Sequence, residues 1–497
     1  MGRASGILMA VSSLPNEYGI GTFGKEAYEF VDFLVRTKQK YWQVLPLTTT
    51  SFGDSPYQSF SAAAGNPYYI DLDSLQKLGY LQSRDFEGIS FGKNRNRVDY
   101  GLLFVNHRRL MNRVFDRFVN NIPSDFEKFC QDQKDWLDPY AEFMALKEEF
   151  GQKAYWEWPS LYRRRNEATA HEVLYLQNQM LYHKMTQYFF FTQWKKLKSY
   201  ANEKGILIIG DLPIYVSRDS VEMWAQPELF KTDSKGRPLT VAGTPPDQFS
   251  STGQYWGNPI YNWDYMKESN YKWWVWRIQM NLSMYDVIRI DHFKGFEAYW
   301  EVPFGAPDAL QGTWAKGPNL DLFKEFEKQF GKLPIIAEDL GVITPGLIEM
   351  RDKTGFPGMK ILQYGFDGEN DSRDLPHNYI PNSIAYSGTH DNQTVRGWYE
   401  TTATNRMREQ ADRYLSRLDD EPISEAFARS IAASVSNICI HTMQDLLNLD
   451  DLARMNVPST VGGNWCWRIK RGDITRHTED FLRTITEMYF RVSEKEK

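Results

Sequence analysis

Apolar residues in this chain gather into eight short, near-continuous runs, at 6–11, 41–45, 206–212, 287–291, 334–338, 359–364, 384–387 and 438–442. A strand covered on both faces carries such a run, whereas a strand with one wet face alternates. Between the runs, apolar residues recur with helical spacing. In Ala141-Glu142-Phe143-Met144-Ala145-Leu146-Lys147-Glu148-Glu149-Phe150, for example, Phe143, Leu146 and Phe150 fall on one side of a helix. Eight buried strands alternating with helices predict an α/β fold of the (β/α)8, or TIM-barrel, type.

The spacing of the runs is uneven. Roughly 160 residues separate the second from the third, where one strand–helix unit needs about 30. This predicts a barrel built from 1–72 and 201–497, with a mainly helical subdomain, 73–200, inserted on the face where the C-terminal strand ends open. A second excess, at about 213–285, holds Gly243-Thr244-Pro245-Pro246-Asp247 and Gly253-Gln254-Tyr255-Trp256-Gly257-Asn258-Pro259. Pro and Gly at that density break regular structure, and a loop so long is uncommon unless functional. The tail Ser493-Glu494-Lys495-Glu496-Lys497 is expected to fray.

Three carboxylates stand at the C-terminal ends of these runs. They are Asp291 in Arg289-Ile290-Asp291-His292, Glu338 in Ile335-Ile336-Ala337-Glu338-Asp339, and Asp391 in Ser387-Gly388-Thr389-His390-Asp391-Asn392. In a parallel barrel those ends converge on one face, where active sites sit. Two facing carboxyls suit glycosidic bond chemistry, one protonating the leaving oxygen and the other attacking or stabilising the sugar cation.

Arg289 and Asp291 are two positions apart and share a strand face. A neighbouring guanidinium favours the ionised aspartate that a nucleophile requires; a buried structural ion pair fits the same spacing. Glu338 follows an apolar run, and desolvation keeps a glutamate protonated, as a general acid needs. Asp339, pointing the other way, is the alternative functional carboxylate. His390 and Asp391 are equipped to bind sugar hydroxyls, though aspartates at such positions also cap turns. Asp211, in Gly210-Asp211-Leu212-Pro213, is a fourth strand-end carboxylate. For it the residues alone favour a structural role, such as orienting Arg289.

Composition narrows the function classes. The 497 residues are 42% hydrophobic and 25% charged, which excludes global disorder. A net charge of −6 supplies no basic footprint for nucleic acid. Arg163-Arg164-Arg165, close to Glu157 and Glu167, reads as a solvated face. Cys130, Cys439 and Cys466 are odd in number and lack a CxxC spacing, so reduced thiols are expected. No run approaches the ~18 apolar residues of a membrane helix, and the first residues lack a signal-peptide core. No membrane association and a cytoplasmic location are expected.

No GxGxxG follows a strand, and GxxxxGK[ST] and HExxH do not occur, so dinucleotide and P-loop readings lack support and neither HExxH nor clustered cysteines suggest a metal. A divalent ion held by Asp, Glu and His at a barrel mouth, for isomerase or hydrolase chemistry, is the rival. Aromatic residues reach 15%, with 16 Trp and 28 Tyr. Their flat faces suit a core and also the CH-rich side of a sugar ring.

The set Arg289-x-Asp291, Glu338-Asp339-Leu340-Gly341 and His390-Asp391-Asn392 resembles the signature regions of the α-amylase superfamily. Nearly the whole chain is similar to the 4-α-glucanotransferase family, also called amylomaltases or disproportionating enzymes. The stretches carrying this likeness include Ser12-Ser13-Leu14-Pro15, Gly19-Ile20-Gly21, Trp42-Gln43-Val44-Leu45-Pro46-Leu47 and Asp54-Ser55-Pro56-Tyr57-Gln58-Ser59-Phe60-Ser61-Ala62. The two Gly/Pro-rich stretches above and Asn456-Val457-Pro458-Ser459-Thr460 add to them.

The resemblance implies Asp291 as nucleophile, Glu338 as general acid/base and Asp391 as the carboxylate that stabilises the transition state. It implies substrate contacts at Arg289, His390, Asp211, Tyr57, Ser55 and Asn392. Tyr255 and Trp256 would face sugars from a lid-like loop. It further implies a retaining enzyme that needs no cofactor or metal and acts on α-1,4-glucans and maltooligosaccharides, as a monomer or homodimer. A hydrolytic α-glucanase of the same architecture and a glucan-binding protein without turnover are the alternatives.

Overall fold

A computed structural model describes residues 2–246, 250–368 and 371–492. Asp247 of the first Gly/Pro-rich stretch and the tail 493–497 lie outside the described residues. In chain order the strands are β1 (Ala4–Leu8), β2 (Tyr41–Gln43), β3 (Leu207–Leu212), β4 (Thr240–Thr244), β5 (Gln254–Pro259) and β6 (Val287–Ile290). They continue with β7 (Ala298–Pro303), β8 (Thr313–Lys316), β9 (Ile335–Ala337), β10 (Gly358–Ile361), β11 (Ser383–Tyr386) and β12 (Ile438–Thr442).

Eight of them close a parallel barrel in the order β1-β12-β11-β10-β9-β6-β3-β2. These are the eight apolar runs, with shifted ends. β1 stops at Leu8 because Val11–Ser13 turns into a 3-10 helix, and β10 stops at Ile361 because Leu362–Gly365 is helical. The run 359–364 therefore divides between a strand and a helix.

The strands are apolar throughout because both faces are covered. Ile208, Ile288, Ile335, Ile336 and Ile384 have no exposed surface, and removing a buried side chain of this size costs about 2–5 kcal/mol. At Gly210 in β3 an added Cβ would lie 2.1 Å from the Tyr285 ring. That approach lets Tyr285 pack against the strand directly before Asp211.

Between β2 and β3 the chain runs through helices that include Tyr100–Phe118, Phe126–Glu149 and Gln177–Glu203. Phe143 and Leu146 are fully buried in the second, while Phe150 follows its last turn. The third helix also packs on the barrel, where Trp194 Nε1 donates to the Met284 carbonyl at 3.0 Å.

The region 213–285 contains more regular structure than its Pro and Gly content predicts. β4 and β5 lie in it and join β7 and β8 in an antiparallel sheet ordered β5-β4-β7-β8. β5 is an edge strand, where a terminal Pro259 costs no ladder bond. Among the described residues no helix is long and apolar enough to cross a membrane.

Candidate active site

Neighbouring barrel strands deliver the candidate residues to one end. β3 and β6 pair with Asp211 opposite Arg289, so an acidic and a basic side chain from adjacent strands meet inside the barrel mouth. The ladder continues past the strand ends. Asp291 N–H donates to the Leu212 carbonyl at 3.0 Å, and Glu338 N–H to the Ile290 carbonyl at 3.1 Å.

Arg289 is the hub. Its Nη1 donates to both Asp211 oxygens at 2.7 Å and to Asp291 Oδ1 at 3.1 Å. Burial disfavours its cation, but Asp211 and Asp291 outweigh that cost and hold the guanidinium charged. Tyr57 donates its hydroxyl to Asp211 Oδ2 at 2.8 Å. The Tyr57 ring lies nearly parallel to His390, with centroids 5.1 Å apart, and is 5.6 Å from Trp465.

Asp291 is 28% exposed, so one face meets the cleft. Burial nevertheless raises its carboxyl from 3.8 to about 7, with Arg289 opposing and Asp211 and Glu338 adding to the rise. Arg289 does not prevent this rise because its Nη1 is shared with Asp211 at shorter distances. Glu338 accepts from His292 N–H at 2.6 Å on Oε2 and from Leu340 N–H at 2.9 Å on Oε1. Burial raises this carboxyl too, against the pull of Arg289 and those two N–H groups. A charge on Glu338 adds to the rise at Asp291 by like-charge repulsion.

Asp391 is 43% exposed. Its Oδ1 accepts from Asn456 Nδ2 at 2.6 Å, and its main-chain carbonyl accepts from Arg454 Nη2 at 2.7 Å. His390 Nε2 lies 3.4 Å from Asp391 Oδ2. Asp339 points away from the cleft, where Arg351 Nη1 donates to it at 2.6 Å and Met359 N–H at 2.8 Å.

The remaining predicted contacts divide. Trp256 reaches the site, with its ring edge-on to His292 at 4.9 Å and 87°. Tyr255, its neighbour on β5, alternates to the other face. There it packs with Val241, Val302 and Ala309, and its hydroxyl accepts from Gly305 N–H at 3.2 Å. Ser55 Oγ accepts from Tyr57 N–H at 3.2 Å and so shapes the turn that presents Tyr57. The Asn392 amide is occupied within its own neighbourhood, accepting from Thr389 N–H at 2.9 Å and donating to Gln363 Oε1 at 2.9 Å.

Sequence reasoning gave no role to His292, Arg454, Asn456 or Trp465. His292 and Asn456 lay inside stretches already singled out. Their bonds to Glu338 and Asp391 span 46 and 65 positions, and local patterns carry no signal of them.

A cavity of about 1120 Å3 opens beside Trp256, between the barrel loops and the inserted helices. Aromatic faces such as Phe60, Tyr68 and Trp156 line it. Four of its charged side chains pair with one another, Lys147 with Asp219 at 2.6 Å and Arg108 with Glu148, while the Arg218 guanidinium lies over the Trp156 ring at 3.7 Å. Paired charges and aromatic faces suit a neutral, hydroxyl-rich ligand. Among the described residues no group of three or more His, Cys, Asp or Glu is arranged to hold a metal ion.

A family model described as 4-alpha-glucanotransferase matches residues 9–475. A 4-alpha-glucanotransferase from Streptococcus pneumoniae serotype 4 is 52% identical over 99% of this chain and 98% of its own length. One from Thermus thermophilus is 43% identical, over 98% of each. The solved structure titled amylomaltase from Streptococcus agalactiae in complex with acarbose superposes with a TM-score of 0.96. It is 51% identical and is covered over its full length, against 99% of this chain.

Proposed function

Because the chain belongs to the 4-alpha-glucanotransferase family and is a transglycosylase, we propose that it moves α-1,4-glucan segments between maltooligosaccharides by retaining double displacement, with Asp291 as the covalent carrier. The observation that carries this reading is the arrangement of Asp291 and Glu338. Both are raised by burial beside Arg289, which touches only Asp291 of the two, at 3.1 Å. Arg289 on Asp291 draws that carboxyl toward ionisation, while burial raises Glu338 despite its two main-chain N–H bonds, which suits Asp291 as the carboxylate and Glu338 as the acid.

In the first half-reaction Asp291 attacks the anomeric carbon as Glu338 gives its proton to the glycosidic oxygen. The C1–O bond breaks, the reducing-end piece leaves with that proton, and an ester joins the donor glucan to Asp291. In the second, the 4-hydroxyl of an acceptor glucan attacks C1, Glu338 takes its proton back, and the ester bond breaks. Asp391, half exposed and held by Asn456, binds ring hydroxyls and favours the distorted sugar. Asp211, held by Tyr57, fixes the place of Arg289 and shares its Nη1 with Asp291.

Trp256 supplies a sugar-stacking face, and the adjoining cavity gives a long glucan a path away from the carboxylates. The relative solved with acarbose supports a cleft that takes such ligands here. The reading extends to a cytoplasmic enzyme, supported by three free cysteines, working as a monomer or homodimer without cofactor.

Incubation with maltotriose in the presence of a chelator, with products resolved by length, tests the reading. Glucose plus a ladder of longer maltooligosaccharides at nearly constant reducing ends is expected. Shorter products with rising reducing ends would instead make this a hydrolase.

A further inference from the structure

His292 follows Asp291 with a left-handed backbone, φ 51° and ψ 49°. Residues other than glycine enter this region at a cost, and a β-branched residue there is a genuine outlier. The conformation has a local consequence. It turns two successive N–H groups onto one residue of the next strand: His292 N–H to Glu338 Oε2 at 2.6 Å, and Phe293 N–H to the Glu338 carbonyl at 3.0 Å. Glu338 is thus clamped at side chain and main chain by the two residues that follow Asp291. The His292 ring, half-buried, meets the edge of Trp256 at 4.9 Å and lies 6.5 Å from Tyr215.

We infer that His292 is a positioning residue with two separable parts: its left-handed backbone sets Glu338 against the scissile oxygen, and its ring braces the sugar-stacking Trp256. The inference rests on the assignment of Glu338 as the acid. It assigns the conformational cost at His292 to catalysis, because a relaxed backbone would aim the two N–H groups elsewhere and release Glu338. It also links the wall that a sugar stacks on to the group that protonates that sugar's oxygen.

The two parts respond to different substitutions. His292→Asn removes the ring but tolerates the left-handed backbone. His292→Val and His292→Ala remove the ring and disfavour that backbone as well. Each is assayed on maltotriose, whose leaving group needs a proton, and on α-maltosyl fluoride, whose fluoride leaves without one and is read as the first-turnover rate of fluoride release, with Glu338→Gln measured alongside.

His292→Asn should raise KM for maltotriose while keeping most of kcat. His292→Val should lose at least about tenfold in kcat on maltotriose, part of the 10²–10⁴ that acid catalysis contributes, and recover most of it on the fluoride. Should His292→Val not fold, His292→Ala carries a smaller backbone penalty of the same kind and is expected to show the same selectivity. Equal losses on both donors, or an Asn variant whose kcat falls as far as that of the Val or Ala variant, overturn the inference. If Glu338→Gln itself shows no selective recovery on the fluoride, the acid assignment fails and the inference falls with it.

Discussion

Replacing Asp291 by Asn removes a carboxylate that the folded protein holds at a cost, and the cost depends on pH. The folded carboxyl is raised from 3.8 to about 7, chiefly by burial. The native state therefore keeps the proton more tightly than the unfolded chain does. Its contribution to stability is full below about pH 4 and is lost as pH rises through about 7. Asn does not titrate, so the stability of the variant relative to the parent should grow over that window.

Between about pH 5 and about pH 8.5 the parent forfeits the interval from 5 to about 7, roughly two pH units, or about 3 kcal/mol at 1.4 kcal/mol each. Water at the 28% exposed face and relaxation of Glu338 reduce this to about 1–3 kcal/mol. For 497 residues the unfolding entropy is about 1 kcal/mol/K, so the Tm gap should widen by about 1–3 °C. Thermal scans of parent and Asp291→Asn at the two pH values, at one scan rate and salt concentration, measure it. A gap that stays constant or narrows refutes the argument that burial, rather than the Arg289 pair, dominates at Asp291.

Three further outcomes follow from the same geometry. Glu338→Gln should lose about 10²–10⁴ in turnover on maltotriose yet still release fluoride rapidly from an activated fluoride donor in a first-turnover burst; the lack of any such burst contradicts the acid role. Asp211→Asn removes a charge that raises Asp291 and frees Arg289 for it, so the acid limb of kcat/KM should move to lower pH, and a move to higher pH would contradict the hub role of Arg289. Gly210→Ala puts a Cβ 2.1 Å from the Tyr285 ring; overpacking of this kind costs about 1–3 kcal/mol or more, and an unchanged Tm in a thermal scan would show that the ring yields freely.

The barrel was legible because strands buried on both sides leave unbroken apolar runs, and all eight lie within a few residues of the strands observed. The small sheet was not. β5 carries Gly257 and Pro259, and β7 and β8 carry Glu301 and Lys316 on wet faces, so neither continuity nor alternation marks them. Within the site, the i, i+2 spacing placed Arg289 with Asp291, but the pairing of Asp211 with Arg289 depends on the register between β3 and β6, which no local pattern encodes. Alternation along β5 allows only one of Tyr255 and Trp256 to face the cleft, and the chain turns Trp256 inward. The roles of the three carboxylates came from family resemblance as much as from physics. The residues that hold Glu338 and Asp391 in place became apparent only with the fold.

The central claim is a glycosyl ester on Asp291. Glu338→Gln loaded with α-maltosyl fluoride in the absence of acceptor should accumulate that ester, because turnover of the intermediate lacks its base. Intact-mass analysis after acid quench, followed by peptide mapping, measures it directly. One added maltosyl group located on Asp291, and its loss when azide, a nucleophile that needs no base, is supplied, is the predicted result. An adduct on another residue, or turnover of the fluoride with no adduct at any quench time, would contradict the account.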